Sequence, residues 1–195
     1  MKKYYAVRVG RVPGIYETWE ECKEQVMGYS GAEFKSFQAY NDAVLFIKNE
    51  EKKVEYNSEA IAYVDGSFSK DKSMFSYGAV IFLNGEKQEF SKAFEDPDLV
   101  SMRNVAGEIK GAEFVMEYCV KNNIKSIDIY YDYEGIEKWC TGVWQTNKSG
   151  TQKYKEFYNR ISKELKVNFV KVKGHSGNEY NDLADKLAKG ALGIE

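Results

Sequence analysis

The chain has 195 residues, of which 43% are hydrophobic and 30% are charged, and its formal net charge at pH 7 is −2. This composition supports either one large core or a small core beside a medium one. Because the sequence has no run of 18 apolar residues and no secretory leader, we expect no membrane contact and a cytoplasmic location. The near-neutral charge argues against indiscriminate nucleic-acid binding. Cys22, Cys119 and Cys140 form no C-x-x-C pair, which argues against disulfides and structural zinc.

The first 47 residues predict a small α/β domain. Residues 4–9 alternate in polarity as a strand does, and a proline-glycine turn then leads to a short return strand. Thr18 and Glu21 form a capping box at the start of a helix. A strand around residues 34–37 and a helix from about Asn41 follow. A domain of this size can bury only a small core, so we expect it to serve in binding.

Residues 48–59 are charged and have almost nothing to bury, which predicts a linker between a domain at 1–47 and another at 60–195. The second domain opens with three strand-like runs, the last two joined by a two-residue Asn84-Gly85 turn. Helices and strands then alternate to the end. This order predicts an α/β fold with a mixed sheet and helices on its faces. The predicted strands are 60–65, 77–83, 86–94, 126–132 and 167–172, and the predicted helices are 105–123, a helical region at 134–165, and 178–190.

Four acidic residues occupy positions where an unpaired charge is costly. Asp65 and Asp132 each end an apolar strand, Glu108 lies at the edge of a helix's apolar face, and Asp182 opens the last helix. If the two strands are parallel neighbours joined by a right-handed crossover, Asp65 and Asp132 lie side by side. A set of oxygen ligands favours magnesium or manganese over zinc. Two such ions can assist in-line phosphoryl displacement, so the pattern predicts phosphodiester hydrolysis.

Each of these residues also has a simpler explanation. Asp65 precedes a glycine, as in many turns, and Asp132 can be explained in the same way. Glu108 is compatible with a solvated helix edge, and Asp182 with electrostatic stabilisation of a helix N-terminus. His175, the only histidine, lies in a loop rather than on an apolar face, which suits a role in proton transfer.

Together these motifs resemble type 1 ribonuclease H in the form that carries an N-terminal hybrid-binding domain. The resemblance extends over nearly the whole chain, and the nuclease part matches at residues 63–67, 104–108, 131–136, 173–178 and 181–184. It implies a ribonuclease H-like mixed five-stranded sheet flanked by helices, preceded by a small α/β domain. It also implies the catalytic and metal-binding carboxylates Asp65, Glu108, Asp132 and Asp182, with His175 assisting proton transfer or product release.

The resemblance further implies two Mg²⁺ ions per site, with Mn²⁺ as an alternative, and a monomer that cleaves the RNA strand of RNA/DNA hybrids. The products would carry 3′-hydroxyl and 5′-phosphate ends. Two other classes of function stay open at this point. One is a duplex-binding protein on a catalytically silent nuclease fold, and the other is a DNA-cutting or strand-transfer enzyme on the same topology.

The same resemblance implies a set of nucleic-acid contacts. In the N-terminal module it assigns contacts with an RNA/DNA hybrid, and with double-stranded RNA as a further ligand, to Tyr5, Trp19, Phe34 and Lys35. Asn104 matches a position that touches the minor groove, although a helix N-cap role would also suit it. The segment from Trp139 to Trp144 lacks the lysine cluster of a basic substrate-gripping protrusion, which suggests a shortened form. Lys148, Thr151, Lys153 and Lys155 would then form a modest phosphate-facing patch, although a plain solvated surface explains these residues equally well.

Overall fold

The computed structural model describes residues 3–48, 58–174 and 178–194. The chain separates into two compact units, Met1–Glu55 and Tyr56–Glu195. The predicted linker at 48–59 lies mostly outside the described residues, so the proposed domain boundaries stay predictions. Within the described ranges, no helix combines the length and the apolar character that a membrane crossing requires.

The N-terminal unit is a three-stranded antiparallel sheet with strand order β2-β1-β3 and two helices. Thr18 and Glu21 form the capping box at the start of the first helix, as the sequence predicted. A small core of Val7, Cys22 and Val26 lies between this helix and the sheet. The elements are β1 (Tyr4–Val9), β2 (Gly14–Tyr16), α1 (Trp19–Val26), β3 (Glu33–Phe37) and α2 (Tyr40–Lys48).

The second unit contains a five-stranded sheet with strand order β6-β5-β4-β7-β8, which confirms the predicted mixed sheet. Strands β4, β5 and β6 form an antiparallel meander, whereas β7 is parallel to β4 and β8 is parallel to β7. The strands are β4 (Ala60–Ser69), β5 (Met74–Leu83), β6 (Glu86–Phe94), β7 (Ser126–Tyr131) and β8 (Lys166–Lys171), and the helices are α3 (Asn104–Lys121), α4 (Gly135–Thr141), α5 (Ser149–Ile161) and α6 (Glu179–Leu192).

The two faces of the central strand β4 contribute to two different cores. Ala62 and Val64 belong to the large core that includes buried residues of α3 and α5. Ile61 and Tyr63 belong to a smaller core with Ala184 of α6. Since side chains alternate along a strand, Asp65 falls on the same face as Ile61 and Tyr63.

Strand β4 continues four residues beyond Asp65, so the prediction that this residue ends the strand, or starts a turn, is wrong. Asp65 pairs with Gly78 on β5, and Gly66 continues the ladder. The glycine is explained by packing: a Cβ atom at position 66 would lie 2.2 Å from the carbonyl oxygen of Asn104. The main chain of α3 therefore rests directly on β4, which brings that helix close to Asp65.

Gly107 of α3 makes the reciprocal close contact, because a Cβ atom there would lie 1.9 Å from the carbonyl oxygen of Ser76. We expect Gly107→Ala to force the helix away from the sheet and lower the free energy of unfolding by about 3 kcal/mol or more, the upper range of overpacking effects. Urea denaturation measures this change. Gly190→Ala is the matched control, since a Cβ atom at this helical position meets nothing within 4 Å. Equal stability of the two variants would contradict the close contact.

Candidate active site

Three of the predicted carboxylates meet at one end of the sheet. One carboxylate oxygen each from Asp65, Glu108 and Asp132 can be chosen so that all lie within 4.8 Å of one another. Strand β4 supplies Asp65, α3 supplies Glu108, and Asp132 directly follows β7. The recorded pairing between β4 and β7 stops at Tyr63 and Tyr130, so Asp65 and Asp132 lie just beyond the last paired residues of two parallel neighbours.

Two of the three carboxylates, Glu108 and Asp65, are buried, and Asp132 is half-buried. Glu108 is 2% exposed, and burial raises its pKa well above the usual range, with further increases from the charges of Asp132 and Asp65. Burial likewise raises the pKa of Asp65 to about 7, and the nearby charge of Asp132 adds to the effect. The backbone N–H of Gly66 donates a hydrogen bond of 2.7 Å to Asp65 Oδ1, which lowers this pKa in part. At neutral pH, binding of a cation or of protons would therefore relieve the repulsion among these carboxylates.

The donor chemistry fits a hard divalent cation. All three residues offer carboxylate oxygens, the ligands that Mg²⁺ and Mn²⁺ prefer. Glu108 Oε2 is buried and has no hydrogen-bond partner among the described residues, although a buried acceptor is normally satisfied. A cation bound by these oxygens would compensate this acceptor and the mutual repulsion of the three charges.

The fourth predicted carboxylate, Asp182, is not part of this group. It lies in the first turn of α6, where its backbone N–H donates to the carbonyl of Asn178. On α6 it is instead Asp185, one turn further along, whose charge adds to the increase that burial and Asp132 cause in the pKa of Asp65. The reason is a close helix–strand contact: a Cβ atom at Gly78, the partner of Asp65 across the sheet, would lie 2.0 Å from the carbonyl oxygen of Ala184.

The sequence pattern did not indicate Asp185 as a site residue. It forms an i,i+4 ion pair with Lys189 at 2.8 Å, and such a spacing usually indicates a solvated helix surface. The signal that could have identified it is the pair of alanines at 184 and 188. Small side chains four residues apart predict the part of a helix that approaches a sheet most closely, and Asp185 lies between them.

His175 lies outside the described residues, so its predicted role stays a prediction. The preceding residue, Gly174, is described and lies against Asp132: a Cβ atom at position 174 would lie 2.5 Å from Asp132 Oδ2. Gly174, the last described residue before the histidine, therefore lies in contact with the carboxylate group.

Asn104 is the first residue of α3 and is exposed. It is not the N-cap residue, because Arg103 occupies that position and provides no side-chain capping bond. Its side-chain amide is thus exposed to a ligand at the N-terminal end of α3, one helical turn before Glu108.

Two of the aromatic residues that follow Asp132, Tyr133 and Trp139, line a cavity of about 290 Å³. Tyr133, Trp139 and Trp144 have ring centroids 5.8 to 6.2 Å apart. Lys148 also lines the cavity. Thr151 is only 3% exposed, and its hydroxyl donates to the carbonyl of Lys148, so it does not form part of an exposed phosphate-facing patch as the sequence had suggested.

The N-terminal unit presents a row of three aromatic rings. Trp19 lies between Tyr5 and Phe34, at 5.8 Å from each by ring centroid, and it is 38% exposed. Lys35 is exposed on the same strand as Phe34, but alternation directs it to the other face, where its ammonium lies 5.9 Å from the Phe37 ring. Three of the four predicted contact residues in this unit therefore form one surface, whereas Lys35 lies on the opposite face of β3.

Two family models match the chain. The model described as "Ribonuclease H1 N-terminal domain" matches residues 3–47, and the model described as "RNase H" matches residues 57–192. A mixed five-stranded sheet with carboxylates grouped beside its central parallel strands is the architecture of ribonuclease H-like proteins. The chain belongs to the ribonuclease H family.

Individual relatives agree with this assignment. A protein named Ribonuclease H from Clostridium botulinum is 30% identical over 149 residues, covering 69% of this chain and 95% of the relative. The crystal structure of RNase H1 from the archaeon Halobacterium salinarum has a TM-score of 0.58 at 20% identity, covering 69% of this chain and 97% of that one. LC11-RNase H1, solved in complex with an RNA/DNA hybrid, has a TM-score of 0.54 at 17% identity, covering 68% of this chain and 99% of that one. These two structural similarities concern the fold.

Proposed function

We propose that this protein is a metal-dependent endonuclease that hydrolyses the RNA strand of RNA/DNA hybrids and leaves 3′-hydroxyl and 5′-phosphate ends. The observation that carries the proposal is the group formed by Asp65, Glu108 and Asp132, three carboxylates from separate elements with oxygens within 4.8 Å. Membership of the ribonuclease H family supports the reaction, and the hybrid bound to LC11-RNase H1 supports the substrate class.

The roles of the residues follow from their positions. Asp65 and Asp132 face each other from neighbouring parallel strands, and Glu108 closes the group from α3, so the three would hold Mg²⁺ or Mn²⁺ ions, two per site by family resemblance. Bound there, such ions would lower the pKa of a water molecule and neutralise charge that develops on the phosphate. We place Asp185 as the fourth carboxylate in preference to Asp182, because its charge acts on Asp65. His175 is proposed to move a proton during the reaction or to assist product release.

The remaining predicted residues would bind the substrate. Asn104 would contact the minor groove, where 2′-hydroxyl groups distinguish RNA from DNA. The row of Tyr5, Trp19 and Phe34 would contact the duplex, chiefly through the exposed rings of Trp19 and Phe34. Lys35, on the opposite face of β3, would bind a backbone phosphate separately. Such a module would raise the local concentration of hybrid at the nuclease domain. Double-stranded RNA is a second candidate ligand for this unit.

The test is a substrate panel with the purified full chain. We expect cleavage of the RNA strand in a labelled hybrid with Mg²⁺ or Mn²⁺, no cleavage with a chelator, and little cleavage of duplex DNA or duplex RNA. Asp132→Asn should abolish cleavage while hybrid binding persists, because it removes one ligand charge. The control Asp98→Asn changes an exposed aspartate and should keep wild-type activity.

Hybrid binding without turnover by the wild type would refute the enzyme and favour a duplex-binding protein. Preferential cleavage of duplex DNA would favour the DNA-cutting alternative. Analysis of the product ends decides the position of bond cleavage.

A further inference from the structure

Next to the carboxylate group, one glutamate holds two lysines. Glu134, two residues after Asp132, accepts hydrogen bonds from Lys171 Nζ at 2.6 Å through Oε1 and from Lys138 Nζ through Oε2. Lys138 also lies 5.0 Å from the centroid of the Trp144 ring. The network thus connects the end of β8 with α4 and with the aromatic residues that follow Asp132.

One of these lysines also lines a groove beside the candidate active site. Asp132, Lys171, Val172, Lys173 and Gly174 surround a cavity of about 360 Å³. Lys171 therefore lies between Glu134 and an open groove that contains a carboxylate of the metal-binding group. Lys138, Lys171 and Lys173 thus bring three positive charges to this groove and network, although the whole chain is slightly acidic.

The ion pair is weak enough to exchange partners. The side chains of Lys171 and Glu134 are 47% and 39% exposed. Pairs at this level of exposure contribute about 0–1 kcal/mol, and salt weakens them further. A phosphate group has the charge and the acceptor oxygens to replace the carboxylate as a partner of the lysine, and the exchange would cost little.

We propose that Lys171 binds a backbone phosphate of the nucleic-acid substrate, and that Glu134 competes with this phosphate for the lysine. This inference rests on the proposed function, since it requires a phosphodiester substrate at the adjacent carboxylate group. Glu134 then determines how strongly the groove holds a strand. The free protein keeps Lys171 paired, and the substrate releases it.

The test compares Glu134→Gln and Lys171→Met in hybrid cleavage at several salt concentrations. Removing the competitor should lower KM about two- to fivefold at low salt, the range that an exposed pair allows, with kcat nearly unchanged. Removing the lysine should raise KM by a similar factor. It should also reduce the slope of log(kcat/KM) against log[salt] by about 0.9, because one phosphate contact is lost.

A second exposed pair on the same sheet provides matched controls. Lys87 and Glu89 on the edge strand β6 are 3.0 Å apart, with side chains 44% and 39% exposed. Strand β6 forms the edge of the sheet opposite to β8, which carries Lys171. The substitutions Glu89→Gln and Lys87→Met make the same charge changes and should leave KM and the salt slope at wild-type values.

Three results would overturn the proposal. The first is an equal salt slope in Lys171→Met and Lys87→Met. The second is a lower kcat in Glu134→Gln without a change in KM or slope, because this pattern indicates that the network only positions the turn after Asp132. The third is a KM in Glu134→Gln that is higher than in the wild type. If the wild type fails to cleave any hybrid, the proposed function is refuted, but the inference about Lys171 can still be tested. Fluorescence anisotropy of a labelled hybrid then measures hybrid binding by the same four variants.

Discussion

Replacing Asp65 with asparagine is expected to abolish cleavage and, in the absence of metal, to make the protein more stable. The carboxylate is 8% exposed, and its pKa is raised to about 7, first by burial and then by the charge of Asp132. Since the unfolded chain would release this proton near pH 3.9, the ionised form costs the folded state on the order of 2–4 kcal/mol at pH 8. Asparagine keeps the Oδ1 acceptor for the Gly66 N–H and removes the charge.

The sign of the pH dependence follows from the direction of this shift. The folded protein binds the proton more tightly than the unfolded chain does, so stability is lost as the pH rises from about 4 to about 7, and the loss is complete above that range. Glu108, whose pKa is also raised, contributes in the same direction. Denaturation with urea in the presence of a chelator, at several pH values from 4 to 9, should therefore show a flatter profile for Asp65→Asn than for the wild type.

The exposed residue Asp71 supplies the control, and Asp71→Asn should follow the wild-type profile. Added Mg²⁺ should stabilise the wild type much more than Asp65→Asn, because ligands that bind only the folded state shift the unfolding equilibrium. If Asp65→Asn is less stable than the wild type at pH 8 without metal, the carboxylate is not under the electrostatic strain inferred here.

The second large effect concerns α6, where the substitutions Asp185→Asn and Asp182→Asn should behave differently. We expect Asp185→Asn to lower kcat/KM at least about 100-fold, since even indirect partners of metal ligands commonly contribute 10- to 100-fold. Asp182→Asn should stay within a few fold of the wild type. The two variants lie three residues apart on one helix and lose the same charge, so each is the control for the other. Measurements of kcat/KM across a range of Mg²⁺ concentrations separate a loss of metal binding from a loss of turnover.

The opposite result, with Asp182→Asn inactive and Asp185→Asn active, would restore the assignment made from the sequence. Equal and small effects in both variants would mean that α6 supplies no residue to the reaction. Because Asp185→Asn also removes the partner of Lys189, the variant Lys189→Met tests whether loss of that ion pair alone affects the rate.

The positions of the three grouped carboxylates were predictable because each depends on short-range rules. Strand pattern and crossover handedness placed Asp65 and Asp132 on parallel neighbours, and helical phase directed Glu108 toward the sheet. The boundary error at Asp65 has a tertiary cause: Asp-Gly is a common turn pair, but here the glycine accommodates α3, a contact that local sequence does not encode.

The proposal of Asp185 in place of Asp182 likewise depends on a tertiary contact. Which turn of α6 approaches the sheet beside Asp65 depends on the contact of Ala184 with Gly78 of β5, which lies more than one hundred residues earlier in the chain. In the N-terminal unit, by contrast, strand periodicity alone would have separated Lys35 from Phe34. The alternation of the strand thus separates the two residues, whereas the family resemblance groups them.

The glycine contacts between α3 and the sheet also affect how this protein can change by mutation. At Gly66 and Gly107 the separation between helix and sheet is set by main-chain atoms, which are common to all amino acids. Substitutions of neighbouring core residues such as Val64 or Ile109 can therefore accumulate over generations and alter thermal tolerance, while the spacing of Glu108 from Asp65 is preserved. The stability of the fold can thereby vary while the arrangement of the grouped carboxylates stays the same.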